Sequence, residues 1–192
     1  MMRAFFCLPS DKRLSDELYA ISADLRTRIH TRVSWVARSN FHVTVRFLGE
    51  IDPMLTIDLE RMARRVVADI PPFELAIDRL GAFPHPARAR VIWAGGEAPA
   101  ALTELVSKVN EGLAGLGFPK DRTDSIAHIT LGRVKGRPDP DLPRILTELD
   151  NAVNYPLYVD RLVLMESTLT PRGAVYNPLF TLRLKGGKDV SV

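Results

Sequence analysis

Phe41-His42-Val43-Thr44-Val45 and Ala127-His128-Ile129-Thr130-Leu131 are one pattern written twice. Each reads His-apolar-Thr-apolar, and alternation with a period of two is the mark of a β-strand. In such a strand His42 and Thr44 share one face while Val43 and Val45 share the other. His128 and Thr130, against Ile129 and Leu131, repeat the arrangement. The aliphatic faces anchor a core, and the His and Thr faces are left for something polar. Two imidazoles presented in this way, one in each half of the chain, suggest a paired acid and base.

The histidines lie 86 positions apart, and each strand sits near a helix–strand boundary. That spacing predicts an internal duplication, two similar lobes about a pseudo-twofold axis. Upstream, Arg3 to Leu8 reads as a buried strand ended by Pro9, and Ser10 stands where an N-cap belongs. Leu14, Leu18, Ile21 and Leu25 recur at helical spacing, predicting an amphipathic helix to about His30. The first His-x-Thr strand runs to Leu48, with Gly49 as its end. A second helix carries Leu55, Leu59, Met62, Val66 and Val67 and stops at Pro71-Pro72.

Phe73 to Leu80 alternates as one strand, and Gly81 to Pro86 reads as a turn leading to a partner strand at Arg90 to Ala94. A third helix bears Leu102, Leu105, Val106, Val109 and Leu113 and ends at Gly115 and Gly117. The second His-x-Thr strand covers about Ser125 to Val134, a short helix Arg144 to Leu149, and two last strands Tyr155 to Glu166 and Val175 to Leu184. Hairpins with helices to one side predict an α+β fold with antiparallel sheet. Residues 1–184 are expected to form one two-lobed domain and 185–192 a flexible tail.

The chain has 192 residues, 46% hydrophobic and 26% charged, with a net charge of +3. That is a globular balance, compatible with an anionic ligand and too weakly basic to prove one. The single cysteine, Cys7, rules out an intrachain disulfide and a cysteine-rich zinc site and suits a reducing cytoplasm. No run of eighteen apolar residues predicts a membrane span, and residues 1–9 are too short for a secretory leader. There is no Gly-x-Gly-x-x-Gly or Walker loop, and no His-Glu-x-x-His or clustered carboxylates, so neither cofactor nor metal is expected.

Imidazole changes charge near pH 7, so it serves as neutral base or charged acid. Two of them on opposite sides of a phosphate can take a proton from water and give one to the departing oxygen. A Thr hydroxyl two positions along, on the same face, can donate to a phosphate oxygen. One His-x-Thr triplet is a weak signal and usually marks an ordinary strand histidine. Two at matched places are specific.

Trp35-Val36 followed by His42-Val43-Thr44-Val45-Arg46-Phe47-Leu48-Gly49-Glu50, and then His128-Ile129-Thr130-Leu131-Gly132-Arg133, closely resemble the two signatures of the RNA 2′,3′-cyclic phosphodiesterases. These are also called bacterial and archaeal 2′-5′ RNA ligases, within the two-histidine phosphoesterase superfamily. Phe5-Phe6-Cys7-Leu8-Pro9, Gly81-Ala82-Phe83-Pro84, Arg90-Val91-Ile92-Trp93, Glu166-Ser167 and Gly173-Ala174-Val175-Tyr176 extend the likeness in order to about Leu184. The resemblance implies a bilobal fold with antiparallel sheets lining a central cleft and helices outside. It also implies opening of a 2′,3′-cyclic phosphate at an RNA end, tRNA fragments among the possible substrates, to leave a 2′-phosphate. By position His42 would be the proton donor to the leaving 3′-oxygen and His128 the acceptor that activates water. Thr44 and Thr130 would hold the non-bridging oxygens. The sequence itself is symmetric as to which histidine is acid and which is base.

Arg133 corresponds to the arginine that closes the second signature and is expected at the substrate. Counting by twos from His128, however, puts Gly132 on the cleft face, so a bulge is needed to re-aim Arg133. Arg46 has the parity of His42 and Thr44. Phe83 is a candidate stacking face for a base, and Tyr176 a candidate hydroxyl at the cleft. His30 and His85 lack a Thr partner and are read as structural, while Arg61, Arg64 and Arg65 form a solvated helix face. Hydrolysis by a monomer is the leading expectation. Two alternatives stay open: 2′-5′ ligation of RNA halves, and a non-catalytic nucleotide- or RNA-binding module.

Overall fold

The structure is a computed structural model and describes residues 1–119, 126–171 and 173–185. Its largest element is an eight-stranded antiparallel sheet. β1 (Met2–Pro9) is buried from Ala4 to Leu8, as its apolar run requires. It pairs with β3 (His42–Ile51) on one side and β9 (Arg161–Thr170) on the other. β10 (Gly173–Arg183) pairs with β9 and forms the edge. In the other half, β7 (Ile126–Val134) lies between β6 (Val91–Glu97) and β2 (Val33–Trp35), and β5 (Arg79–Phe83) pairs with β6. A second, two-stranded sheet joins β4 (Phe73–Ile77) to β8 (Tyr155–Val159).

The two halves meet at the doubled motif. β1–β3 and β6–β7 are long ladders, whereas β3 and β7 pair at Val43–Ile129. These halves are the two lobes, joined at this pair. Helices α2 (Thr56–Val67) and α3 (Ala100–Ala114) pack on each other and against β10 and β3. Helices α1 (Lys12–Arg28) and α4 (Leu142–Glu148) pack against β7 and β5. The main core runs across the join, taking Leu8 and Val43 from one lobe and Ile129, Leu131 and Ile92 from the other. Each fully buried aliphatic side chain of this kind contributes about 1.5–3 kcal/mol relative to exposure. Among the described residues no helix is long and apolar enough to cross a membrane.

Several boundaries differ from expectation. Asp11, not Ser10, caps α1: its carboxylate accepts from the Leu14 N–H at 2.8 Å. Ser10 instead donates its hydroxyl to the Phe41 carbonyl at 2.8 Å, tying the helix start to the first motif. The helix ends at Arg28 because Ile29 is already extended. Gly49 does not end β3; it sits within the strand at φ +73°, a conformation that suits glycine, beside an irregularity at Leu48. The alternating run 73–80 is two strands, since the chain turns at Asp78 to leave the small sheet and enter the large one. The run 155–166 breaks at Asp160 for the same reason. Gly81 to Phe83, read as turn, belongs to β5. Of the expected tail, Lys185 donates its backbone N–H to the Ile70 carbonyl at 2.7 Å, and 186–192 lie outside the described residues.

Candidate active site

Alternation places His42, Thr44, His128 and Thr130 half-buried on one face of the sheet, with Val43, Val45, Ile129 and Leu131 buried on the helix side. The antiparallel pair Val43–Ile129 then sets His42 beside Thr130 and Thr44 beside His128. The two imidazoles stand on a diagonal of the ladder, a relation that separates Cβ atoms by roughly 7–8 Å in regular sheet.

Each strand then carries a bulge, the device needed to re-aim Arg133. Opposite β3, Cys7 pairs with Thr44 and Phe6 with Arg46, so Val45 is an extra residue. Opposite β7, Trp93 pairs with Thr130 and Ile92 with Gly132, so Leu131 is extra. Both bulges fall directly after the Thr, and a bulge reverses the alternation beyond it. Arg133 therefore turns to the face of His128 and Thr130, and it lines the cleft. Phe47, its counterpart in the first copy, turns to the face of His42 and Thr44. The same device turns Arg46 off the face of His42 and Thr44: it is 6% exposed, still lines the cavity between the strands, and one guanidinium nitrogen donates to the Pro119 carbonyl at 2.5 Å.

Beyond the Val43–Ile129 pair the strands part, and a cavity of about 210 Å³ opens between them. Thr44, Phe47, Phe83, His128, Thr130 and Arg133 are among its walls, and Leu102 and Val106 of α3 lie beneath. His42 and Tyr176 line an adjoining hollow with Asn40 and Met165. Aromatic rings flank each imidazole. Phe5 lies 4.9 Å from His42, and Tyr176 meets His42 edge-on at 5.4 Å. Phe83 meets His128 edge-on at 4.9 Å, with Trp93 behind it at 5.1 Å. All seven residues singled out in the sequence thus gather at the join of the lobes. Phe47 and Trp93 join them without having been singled out for it. The lost signal was the bulge, which no local pattern encodes.

Hydrogen bonds fix the tautomers. His42 Nδ1 lies 2.7 Å from the Asn40 carbonyl, and His128 Nδ1 lies 3.4 Å from the Ile126 carbonyl. A carbonyl only accepts, so Nδ1 carries hydrogen in both rings and Nε2 is the nitrogen that gains or loses a proton. His42 Nε2 lies 3.1 Å from the Thr44 hydroxyl, which donates to it in the neutral ring. Burial pushes the His42 pKa down to about 4; the Asn40 carbonyl opposes this, and the nearby His128 and Arg133 charges reinforce it. Burial also raises the Tyr176 phenol above its ordinary range. Cys7, under Thr44, is pushed up to about 12 by burial, which leaves an inert thiol. Among the described residues no three His, Cys, Asp or Glu side chains converge as a metal site.

An RNA 2′,3′-cyclic phosphodiesterase of Methanothermobacter thermautotrophicus is 32% identical over 184 residues, 95% of this chain and 99% of its own. Another, of Aeropyrum pernix, is 34% identical, covering 84% of this chain and 93% of its own. The Thermus thermophilus protein TT0787 superposes with a TM-score of 0.80 at 26% identity, over 97% of this chain and all of the other. Escherichia coli LigT, solved with 3′-AMP bound, gives a TM-score of 0.74 at 26% identity, over 95% and 98% of the two chains. The 2′-5′ RNA ligase superfamily model matches residues 14–170, both His-x-Thr strands included, and the chain belongs to that superfamily.

Proposed function

We propose that this protein hydrolyses 2′,3′-cyclic phosphate ends of RNA to 2′-phosphate ends. The observation that carries the reading is the crossed pairing of the two His-x-Thr strands about Val43–Ile129, with the tautomer of each imidazole fixed by a backbone carbonyl. The naming of relatives that span nearly the whole chain supports the same activity. In this reading the cyclic phosphate lies between the two Nε2 atoms. His128 takes a proton from water as the water oxygen bonds to phosphorus. The bond from phosphorus to the 3′-oxygen breaks, and His42 gives its Nε2 proton to that oxygen. Thr44 and Thr130 donate to the non-bridging oxygens, and the Arg133 cation balances the charge that builds on them.

His42, with its pKa near 4, is mainly neutral at pH 7. A phosphate anion beside it favours the imidazolium, so substrate binding charges the acid. Phe83 and Tyr176 complete the substrate walls on the His128 and His42 sides. Both motifs come from one chain, so the proposed working unit is a monomer; its proposed location is the cytoplasm, and tRNA fragments with such ends fall within the substrate class. The name of the matching family also motivates a second reading, 2′-5′ ligation, in which an RNA 5′-hydroxyl reacts in the reverse direction.

Product analysis on a short oligonucleotide with a cyclic phosphate end tests both. A 2′-phosphate product is expected, with loss of about 10²-fold or more in rate for His42→Ala and for His128→Ala, and with activity surviving EDTA. Full activity in either variant overturns the paired mechanism. Joined products in the presence of 5′-hydroxyl RNA, in place of hydrolysed ends, favour ligation.

A further inference from the structure

β1 pairs with β9 from Val163 to Glu166. Beyond Glu166, residues 167–170 of β9 pair with 173–176 of β10, a two-stranded arm that carries Tyr176 and the exposed Leu169 and Val175. A hairpin of two strands is marginal on its own, so its placement needs a tie. The arm nevertheless lies against the first motif, where the Tyr176 ring meets His42 at 5.4 Å and Phe5 at 4.9 Å. Asn40 supplies the tie. Its half-buried side-chain amide donates to the Ala174 carbonyl at 2.7 Å, reaching a strand 134 positions further on. Its backbone N–H donates to the Ala37 carbonyl at 2.8 Å within the tight turn Arg38–Asn40, and its own carbonyl lies 2.7 Å from His42 Nδ1. One residue thus grips the arm with its side chain and the imidazole with its main chain.

We propose that Asn40 is a positioning residue for the reaction: by clasping the β9–β10 arm it holds its carbonyl on His42 Nδ1, keeps the hydrogen on that nitrogen, and aims Nε2 at the leaving oxygen. The second copy of the motif offers the comparison. Ile126 stands two residues before His128 as Asn40 stands before His42, and it has no polar side chain to anchor it. Its carbonyl lies 3.4 Å from His128 Nδ1, against 2.7 Å in the clasped copy. The shorter bond goes with the clasp. With the amide removed, the carbonyl is free to turn from the ring, and a neutral imidazole without that acceptor populates both tautomers. The arm also loses its hold, and the Tyr176 ring its place behind His42. Asn40 acts through His42 and not on the substrate. The assignment rests on the phosphodiesterase reading, because it needs His42 as the proton donor.

Asn40→Ala removes the amide, and Asn40→Leu removes it while keeping most of the volume; the site is half-buried, so the fold is expected to survive. Two measurements read the clasp. The first is nitrogen-15 NMR of the histidine rings at pH 7, which distinguishes a protonated Nδ1 from a protonated Nε2. The second is steady-state hydrolysis of a dinucleotide with a 2′,3′-cyclic phosphate end. In the wild type His42 should carry its hydrogen on Nδ1; in both variants its signals should move towards a mixture of tautomers, while those of His128 stay in place. The variants should lower kcat roughly tenfold to a hundredfold, the scale of a reacting group displaced by about 1 Å, with KM little changed. Variants with a lowered unfolding midpoint but wild-type His42 signals and kcat would make the Asn40–Ala174 bond merely structural and overturn the proposal. A rise in KM alone would overturn it too, since the arm would then act on substrate binding and not on His42. If the wild type hydrolyses nothing but its His42 signals move in the variants as stated, the clasp stands and the hydrolase reading falls.

Discussion

His42 sits in a setting that works against its charge. The Phe5 and Tyr176 rings pack against it, and the His128 imidazole and the Arg133 guanidinium lie within electrostatic reach. A folded-state pKa near 4, against 6.5 for the ordinary imidazole, has a definite sign. As pH falls below 6.5 the unfolded chain takes up a proton that the folded chain still refuses. The stability that neutral His42 contributes is full above pH 6.5 and is lost progressively towards pH 4. Arg133→Gln removes one of the opposing charges, so it should raise the His42 pKa and lessen the fall in stability across this window. NMR titration of the His42 ring, with urea unfolding midpoints at pH 7 and pH 4.5, reads both. A His42 pKa unmoved by Arg133→Gln would mean that the guanidinium does not act on the ring.

The elements show where sequence reasoning reached and where it stopped. Alternation and helical spacing gave the motif strands and α1, α2 and α3, because those patterns follow from one face meeting one core. The breaks at Asp78 and Asp160 were not legible, because apolar residues continue on both sides while the hydrogen-bonding partner changes from one sheet to the other. Likewise His42, Thr44, His128 and Thr130 were legible as a repeated pattern, whereas Phe47 and the aim of Arg133 depend on bulges defined only by the partner strands β1 and β6. One small residue near the site is open to test. Gly95 pairs with His128, and a Cβ there would meet the Ala127 carbonyl oxygen at 2.1 Å and the His128 Cα at 3.0 Å. Both atoms are backbone, so β6 and β7 must move apart. Gly95→Ala should cost about 1–3 kcal/mol, as overpacking does, and should lower kcat by displacing His128. Wild-type stability and turnover in this variant would show that the ladder yields without cost.

At the scale of the whole molecule, the lobes share little sheet and much core. Their strands pair at Val43–Ile129, yet buried side chains from both lobes form one continuous cluster through the helix layer. Cooperativity should follow the core and not the ladder, making the chain a single unfolding unit. The two tryptophans allow a direct test because both lie in the His128 lobe, Trp35 on β2 and Trp93 on β6. Leu164, on β9 in the other lobe, is fully buried. Leu164→Ala should cost about 2–5 kcal/mol, and for a chain of this length each kcal/mol lowers Tm by about 2–4 °C. If the core couples the lobes, tryptophan fluorescence and far-UV circular dichroism will shift together by that amount, although neither indole is near the mutation in the sheet order. A fluorescence midpoint left at its wild-type value while the dichroism splits into two steps would mean separate lobes. Their relative placement, and with it the spacing of His42 from His128, would then be held by the Val43–Ile129 pair rather than by the shared core.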